Sequence, residues 1–514
     1  EEPTTYLHPS LEPVLAETYG VIVYHEQVMG VLVALTGCDL AYADLLRRQL
    51  GDRKKHAAIR GWLLAKAQDR GVPPHDAEVV WEQLAAFASF GFCKAHAAAF
   101  AVPTERSAFL KAHVFPEFAA GLLTHDPGMY PRRMILDECR LFGVAVLPPD
   151  VNRSASPYTV EVIDRGQADH LLGLTPAVRA AARATSDPVP LLPPGWSWPD
   201  DADHPLPPTG RDAGDAGEGY RYAVRIGLQD ISGITDAEVS ALVAGRPFTS
   251  LADVSERGGL SQPTAVALVD VGALDQVAGV GRRGGPAGRR ALRLTVEELW
   301  QDRRRRRRDA TSRPVGTRGA GPTTQTRLDL HVDHVPQLPE DGEADRVRSE
   351  LATSGMDVSR HVVSFYEPLL EVLGVTRACD LSKVSAQSRV RLAGVKVAIQ
   401  SPPQRSGQRV LFLSLDDRTG TTQTTYFERS LDDCAWTVLH AWLLVAEGRV
   451  SRRGRMGATL TGTRAWDLSR LWRAWQEGWL DAALAERGTP AAHDQAGAVR
   501  PAGLSASEFG RGSR

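Results

Sequence analysis

The sequence predicts a multidomain α+β chain. It reads as a mainly helical N-terminal domain, a small helical block with glycine at its turns, and a C-terminal five-stranded β-barrel. Three observations carry this. Apolar residues recur at helical spacing through residues 21–35, 57–67 and 77–88. From Ser388 to Trp466 the period changes to two. The chain has 514 residues, 43% hydrophobic and 24% charged, which suits several globular domains and excludes a disordered chain.

Taken in order, residues 1–185 form the helical domain, punctuated by Gly71-Val72-Pro73-Pro74 and Asp126-Pro127-Gly128. Residues 186–219 are rich in Pro, Gly and Asp and read as a loop. Residues 220–280 are the compact helical block. An Arg-rich linker over 281–345 follows, with 13 arginines against 4 acidic residues between positions 281 and 318. It includes six consecutive arginines, Arg303 to Arg308, which read either as a solvated flexible tether or as a phosphate-contacting arm. Residues 346–387 form a helical connector. Over 388–470, five alternating stretches (390–397, 409–415, 421–427, 441–450 and 458–465) fit a barrel of the oligonucleotide-binding (OB) type, an unrelated small β-barrel being the alternative. Residues 471–514 are helical and then a disordered tail.

Composition narrows the function classes. The formal net charge is −2, so any nucleic-acid contact must use local patches. Only seven of the 60 basic residues are lysine, and arginine favours forked phosphate contacts. Cys38, Cys93, Cys139, Cys379 and Cys434 form no C-x-x-C pair, against a disulfide scaffold or a structural zinc site of the usual spacing. No run of about 18 apolar residues and no basic-then-apolar leader occurs, so a cytoplasmic location without a membrane partner is expected. The chain starts at Glu1 without Met, which fits processing or a truncated reading of something longer.

One series of motifs is specific. It runs Tyr19-Gly20-Val21-Ile22-Val23-Tyr24-His25-Glu26-Gln27-Val28-Met29, then Asp44-Leu45-Leu46-Arg47-Arg48 through Asp52-Arg53-Lys54-Lys55. It continues with Phe90-Gly91-Phe92-Cys93-Lys94-Ala95-His96, Leu110-Lys111-Ala112-His113, Asp137-Glu138-Cys139-Arg140 and Leu147-Pro148-Pro149-Asp150-Val151-Asn152. In that order the series resembles the fingers region of the bacterial DNA polymerase III α subunit. Phe92-Cys93-Lys94-Ala95-His96 and the later His361-Val362-Val363-Ser364-Phe365-Tyr366 resemble its error-prone, damage-inducible paralogue more closely.

The resemblance implies roles. Arg47, Arg48, Lys54, Lys94 and His96 would grip the incoming deoxynucleoside triphosphate, with Lys55 a weaker candidate and Glu26 and Gln27 bracing helices. The chemistry fits, because a triphosphate needs several cations and a donor such as His96 to serve its oxygens or the leaving pyrophosphate. Gly227-Leu228-Gln229-Asp230-Ile231-Ser232-Gly233-Ile234-Thr235 resembles the first hairpin of a helix-hairpin-helix unit, whose backbone N–H groups bind a DNA phosphate. The family pattern usually has glycine where this chain has Thr235. In the barrel, Lys396, Arg405, Arg409 and Phe427 combine cations with an aromatic; Tyr426 and Phe427 are adjacent on a strand, so only one faces a ligand. Gln325-Thr326-Arg327-Leu328-Asp329-Leu330 resembles a sliding-clamp-binding peptide anchored by Gln325, Leu328 and Leu330, or is simply the start of the next domain.

The family's metal-binding aspartates lie in a palm domain upstream of the Tyr19 motif. Asp416-Asp417 and Asp432-Asp433 read as turn residues of the barrel instead, so no catalytic or metal residue is expected in this chain. Mg²⁺ belongs to the complete polymerase. The expectation is the C-terminal part of an error-prone, template-directed DNA polymerase, inactive alone. Its partners would be primer-template and single-stranded DNA, a deoxynucleoside triphosphate, and a sliding clamp or other translesion-synthesis proteins. The alternative is a truncated, non-catalytic DNA-binding remnant or clamp-docked module.

Overall fold

The computed structural model describes residues 4–87, 92–126, 128, 130–172, 214–217, 219–280, 288–311, 338–339, 341–402, 409–453 and 457–486. The 186–219 loop apart from its last few residues, and the tail beyond position 486, lie outside these described residues. The chain divides into two compact units, Glu1–Leu110 and Lys111–Arg514.

The first unit is built from α1 (His25–Thr36), α2 (Leu40–Gln49), α3 (His56–Asp69), α4 (Pro74–Phe87) and most of α5 (Lys94–His113). The α1 helix stops at Gly37, whose φ of +70° a side chain would strain. The Asp39 carboxylate then accepts the Tyr42 N–H at 2.7 Å and starts α2. Val28, Val31, Leu32 and Leu35 of α1 are buried against Leu46, Ile59, Leu63, Val80 and Leu84. Each such side chain contributes roughly 1.5–3 kcal/mol on burial. The α5 helix has no buried residue along its 20 positions, and Phe100 and Val102 stand exposed.

The second unit opens with α6 (Phe115–His125) and α7 (Arg132–Leu141), which pack on a three-stranded sheet. Its strands are β1 (Ala145–Leu147), β2 (Thr159–Asp164) and β3 (Tyr220–Arg225), in the order β1-β3-β2. Strand β3 is parallel to β1 and antiparallel to β2, and α8 (Arg165–Leu172) follows β2. The structure therefore does not keep 1–185 as one helical body. It divides at Leu110, and residues 145–147 and 159–164 join 220–225 in one sheet, which buries Ile163 on one face and partly buries Val160 on the other.

The helical block comprises α9 (Asp236–Ala244), α10 (Leu251–Arg257) and α11 (Gln262–Asp270). It shares one core with α12 (Arg289–Thr311), through Leu292, Val296 and Trp300. This corrects the linker reading of 281–345: part of that stretch is a 23-residue helix. Its apolar residues at positions 292, 296 and 300 recur every fourth position, a stripe masked in the sequence by the surrounding arginines.

The connector holds α13 (Glu343–Ser354) and α14 (Glu367–Val372). The barrel is closed, with β4 (Arg389–Gln400), β5 (Val410–Asp416), β6 (Thr421–Phe427), β7 (Leu443–Arg453) and β8 (Gly457–Asp467) in the order β4-β5-β6-β8-β7. Closure depends on Gly462, where a Cβ would stand 2.4 Å from the buried Tyr426 ring. Between β6 and β7 runs α15 (Glu428–His440), so Asp432 and Asp433 are helical and not turn residues. After β8, α16 (Leu468–Gln476) packs its apolar face against β7 and β8, and α17 (Leu480–Ala485) packs on α16 in the same apolar cluster.

Candidate functional site

In the first unit, two motifs far apart in sequence meet. Tyr24 and Phe92 form a parallel β-bridge, and their rings meet edge-on at 5.5 Å. Glu26 then reaches the start of α5: its two carboxylate oxygens accept the Lys94 N–H at 3.1 and 3.0 Å, and one accepts the Cys93 thiol at 3.2 Å. Burial works against the charge, but these bonds, led by Lys94, hold the carboxyl below its ordinary range. Gln27 braces the turn, accepting the Val23 and Tyr24 N–H groups at 2.8 and 3.0 Å and donating to Thr18 Oγ1 at 2.7 Å.

Lys94 and His96 thus sit exposed in the first turn of a capped helix, where the dipole favours anions. The Lys94 ammonium pairs with Glu17 and lies 6.0 Å from the Tyr24 ring centroid; the His96 ring meets Phe100 at 4.7 Å. Arg47 and Arg48 both grip Asp44 at 2.7 Å from the last turn of α2. Lys54 and Lys55 are exposed on the short turn after it, where Asp52 accepts the Lys54 N–H at 3.0 Å. The Lys94–Glu17 pair and the Arg48 side chain are exposed, whereas the Arg47–Asp44 pair is part-buried; exposed pairs of this kind are worth about 0–1 kcal/mol, so an anion competes for Lys94 and Arg48 at small cost.

The expected hairpin of Gly233 and Thr235 is present but largely self-satisfied. Gly233 takes φ +80° at the turn. The Ser232 N–H donates to Thr353 O at 3.0 Å, that of Ile234 to Ile231 O at 3.1 Å, and that of Thr235 to Glu238 at 3.0 Å. Thr235 is the N-cap of α9, and Glu238 returns its bond as a capping box. Glu238 also accepts Ser261 N–H at 2.8 Å and Thr264 Oγ1 at 2.9 Å, tying α9 to the start of α11. Burial works against its charge, and the bonds from Ser261 and Thr235 overcome it, bringing the carboxyl down to about 2. The free N–H nest anticipated from sequence is thus mostly occupied by acceptors of the chain itself.

The barrel separates its candidates. Tyr426 is core and Phe427 is half-exposed, as strand alternation requires. Arg409 is exposed just before β5. Lys396 directs its ammonium to the carbonyls of Val438 and Leu439, at 3.0 and 2.7 Å, at the C-terminal turn of α15. Arg405, and Gln325, Leu328 and Leu330 of the clamp-like peptide, lie outside the described residues. A groove of about 500 Å³ beside β4 holds Arg389 and Arg391, both on the buried Glu447, with Arg464 opposite.

Sequence reasoning missed one cluster. Arg133, Asp137 and Arg140 of α7 meet Asp357, His361 and Asp416 in the interior of the second unit. Its sequence signal was the pair of motifs around Asp137 and His361. Asp137, His361 and Asp416 bring their ligand atoms within 4.8 Å of one another, which resembles a cation site. It does not suit Mg²⁺. Arg133 Nη2 stands 3.1 Å from His361 Nε2, Arg140 holds Asp137, and a magnesium ion would need several waters in an octahedral shell. Asp357 and Asp137 are already held by Arg133 and Arg140.

Residues 1–71 match the family model of the bacterial DNA polymerase III alpha subunit finger domain, and residues 143–284 match a helix-hairpin-helix motif. An error-prone DNA polymerase of Symbiobacterium thermophilum is 32% identical over 470 residues, covering 88% of this chain and 39% of the relative. One of Cutibacterium acnes is 30% identical over 82% of this chain and 34% of its own. Over the matched residues, the chain is similar to the bacterial DNA polymerase III alpha subunit and to error-prone DNA polymerases. A DNA polymerase III subunit alpha of Neisseria meningitidis is 26% identical, over 87% of this chain and 33% of its own. The chain spans about a third to two fifths of the length of these relatives.

The helix-hairpin-helix match begins well before residue 220, and the structure supplies a reason. Val151 belongs to the same core as α9–α12, and Asn152 bonds both the N–H and the carbonyl of Phe248, at 2.7 and 2.9 Å. The Leu147–Asn152 family motif is therefore an anchor for the helical block.

Proposed function

We propose that this chain supplies the incoming-nucleotide grip and the DNA-binding surfaces of an error-prone, template-directed DNA polymerase that works in replication and damage-tolerant repair. The observation that carries this reading is the Glu26-capped start of α5, which presents Lys94 and His96 together to solvent. A triphosphate arriving there gains the Lys94 charge, a hydrogen bond from His96 and the helix dipole. Arg47, Arg48 and Lys54 are further phosphate partners on the same unit. Arg409 and Phe427 on the barrel suit single-stranded template, by phosphate attraction and base stacking. Mg²⁺ chemistry is assigned to the palm of the complete polymerase. A sliding clamp is a candidate partner through Gln325, Leu328 and Leu330.

The test is to titrate the full chain with a deoxynucleoside triphosphate and, separately, with a primed template. Saturable triphosphate binding, weakened about tenfold or more by Lys94→Gln, supports the grip, since a charged hydrogen bond is worth roughly 1.5–3 kcal/mol. Primer extension by the chain alone that is lost on changing Asp416 and Asp417 would overturn the assignment of chemistry to the palm.

A further inference from the structure

The arginine run of α12 is not spread evenly over a soft linker. The first part of the helix is electrically balanced and packed. Arg289 pairs with Asp275, Arg290 with Asp341, and Arg293 with Asp270 and Glu297. Ala291, Leu292, Val296 and Trp300 are buried on the other side. Trp300 Nε1 and Arg303 Nη1 both donate to the carbonyl of Leu260, at 3.0 and 3.4 Å, in the turn between α10 and α11.

Beyond that anchor the balance stops. Arg304, Arg305 and Arg306 are exposed, and Asp302 is their one acidic neighbour among the described residues, 3.9 Å from Arg305. Consecutive residues on a helix point about 100° apart, so three in a row fan positive charge around most of the circumference. Exposed charge of this kind adds nothing to packing.

We propose that the Arg304–Arg306 segment of α12 is a rigid phosphate-binding arm of the helix-hairpin-helix block, which grips the DNA backbone without reading sequence. Trp300 fixes where the arm leaves the core. The arm supplies the phosphate contacts that the Gly233 hairpin, with the N–H groups of Ser232, Ile234 and Thr235 already engaged, supplies poorly. The segment lies outside residues 143–284 of the motif match. The inference rests on the DNA-binding reading above, in assigning DNA as the polyanion.

The experiment compares the full chain with R304Q/R305Q/R306Q and R304K/R305K/R306K, using fluorescence anisotropy on a labelled mixed-sequence duplex across a salt series. The glutamine variant is expected to bind every sequence more weakly by a similar factor. Its log–log salt slope should fall by about two to three, at roughly 0.9 for each phosphate that the arm no longer neutralises. The lysine variant should stay close to wild type, and circular dichroism should show helix content unchanged or raised in both. An unchanged slope for the glutamine variant beside firm wild-type binding overturns the arm and leaves the DNA-binding reading standing. No binding by the wild-type chain overturns both. Stronger wild-type binding to polyglutamate than to the duplex overturns DNA as the arm's partner.

Discussion

The guanidinium of Arg133 grips the carboxylate of Asp357 through Nε and Nη2, at 3.1 and 2.9 Å, across 224 residues of sequence and with both side chains buried. Removing one partner leaves an uncompensated charge inside the protein, at a cost of about 3–5 kcal/mol. Asp357→Ala should therefore lower the denaturation midpoint of the second unit sharply. Trp442, whose ring lies 5.7 Å from the Arg133 guanidinium, makes intrinsic fluorescence a reporter. Replacing both residues by apolar ones should recover most of the loss, and a double variant as weak as the single would show that the pair itself is the stabilising element.

Asp137 sits in the same cluster with the opposite titration. Burial pushes its carboxyl up from 3.8 to about 6, Asp357 and Asp416 add to this, and Arg140 and His361 oppose it. The folded state then holds a proton that the unfolded chain releases, so between about pH 4 and 6 stability falls as pH rises. Asp137→Asn removes that slope. Its stability relative to wild type should grow from pH 4 to pH 6 and then level off in parallel urea titrations; a constant difference would count against burial as the cause.

Glu238 serves two helix starts at once. Its carboxyl is brought from 4.5 to about 2, so the stability it adds is complete above about pH 4.5 and is lost as pH falls toward 2. Glu238→Gln should destabilise the helical block by about 1 kcal/mol at neutral pH, the size of a lost cap. The gap from wild type should close on acidification, and thermal melts at pH 7 and pH 3 decide it.

Glu26 is expected to govern the start of α5. Glu26→Ala uncovers the Lys94 N–H and should speed hydrogen exchange of the Lys94–Ala97 amides, for a cost of about 1 kcal/mol. Triphosphate binding should weaken in the same variant, because Lys94 and His96 lose their fixed frame. Exchange unchanged from wild type would mean another group caps the helix.

Two barrel cations should behave differently. Lys396→Met removes two bonds to the end of α15 and should cost about 1 kcal/mol of barrel stability with little change in DNA affinity. Arg409→Gln should leave stability alone and reduce the single-strand salt slope by about 0.7, the value for one neutralised phosphate. The reverse pattern would exchange their roles.

Much of this fold was legible from period alone. Strand β6 alternates buried Thr422, Thr424 and Tyr426 with exposed Thr421, Gln423 and Phe427, as a period of two demands. Helix α12 was not legible, because its buried positions are few and arginine outnumbers them. The role of Lys396 was hidden for another reason: a cation on a strand looks the same in sequence whether it faces solvent or a helix end.

By itself the sequence determined the helical N-terminal region, the helix-hairpin-helix region, the closed five-stranded barrel and the motifs that carry the resemblance, since these depend on near neighbours and composition. Only the tertiary structure decided which charges are available. Glu26 reaches Lys94, Glu238 reaches Ser261, and Arg133 reaches Asp357 across separations that no local pattern encodes. Whether a charged side chain binds a ligand or stabilises the fold depends on the partner that packing brings within about 3 Å. The outermost arginines of α12 are unlike those cases, because packing brings no carboxylate close to Arg304 or Arg306 among the described residues.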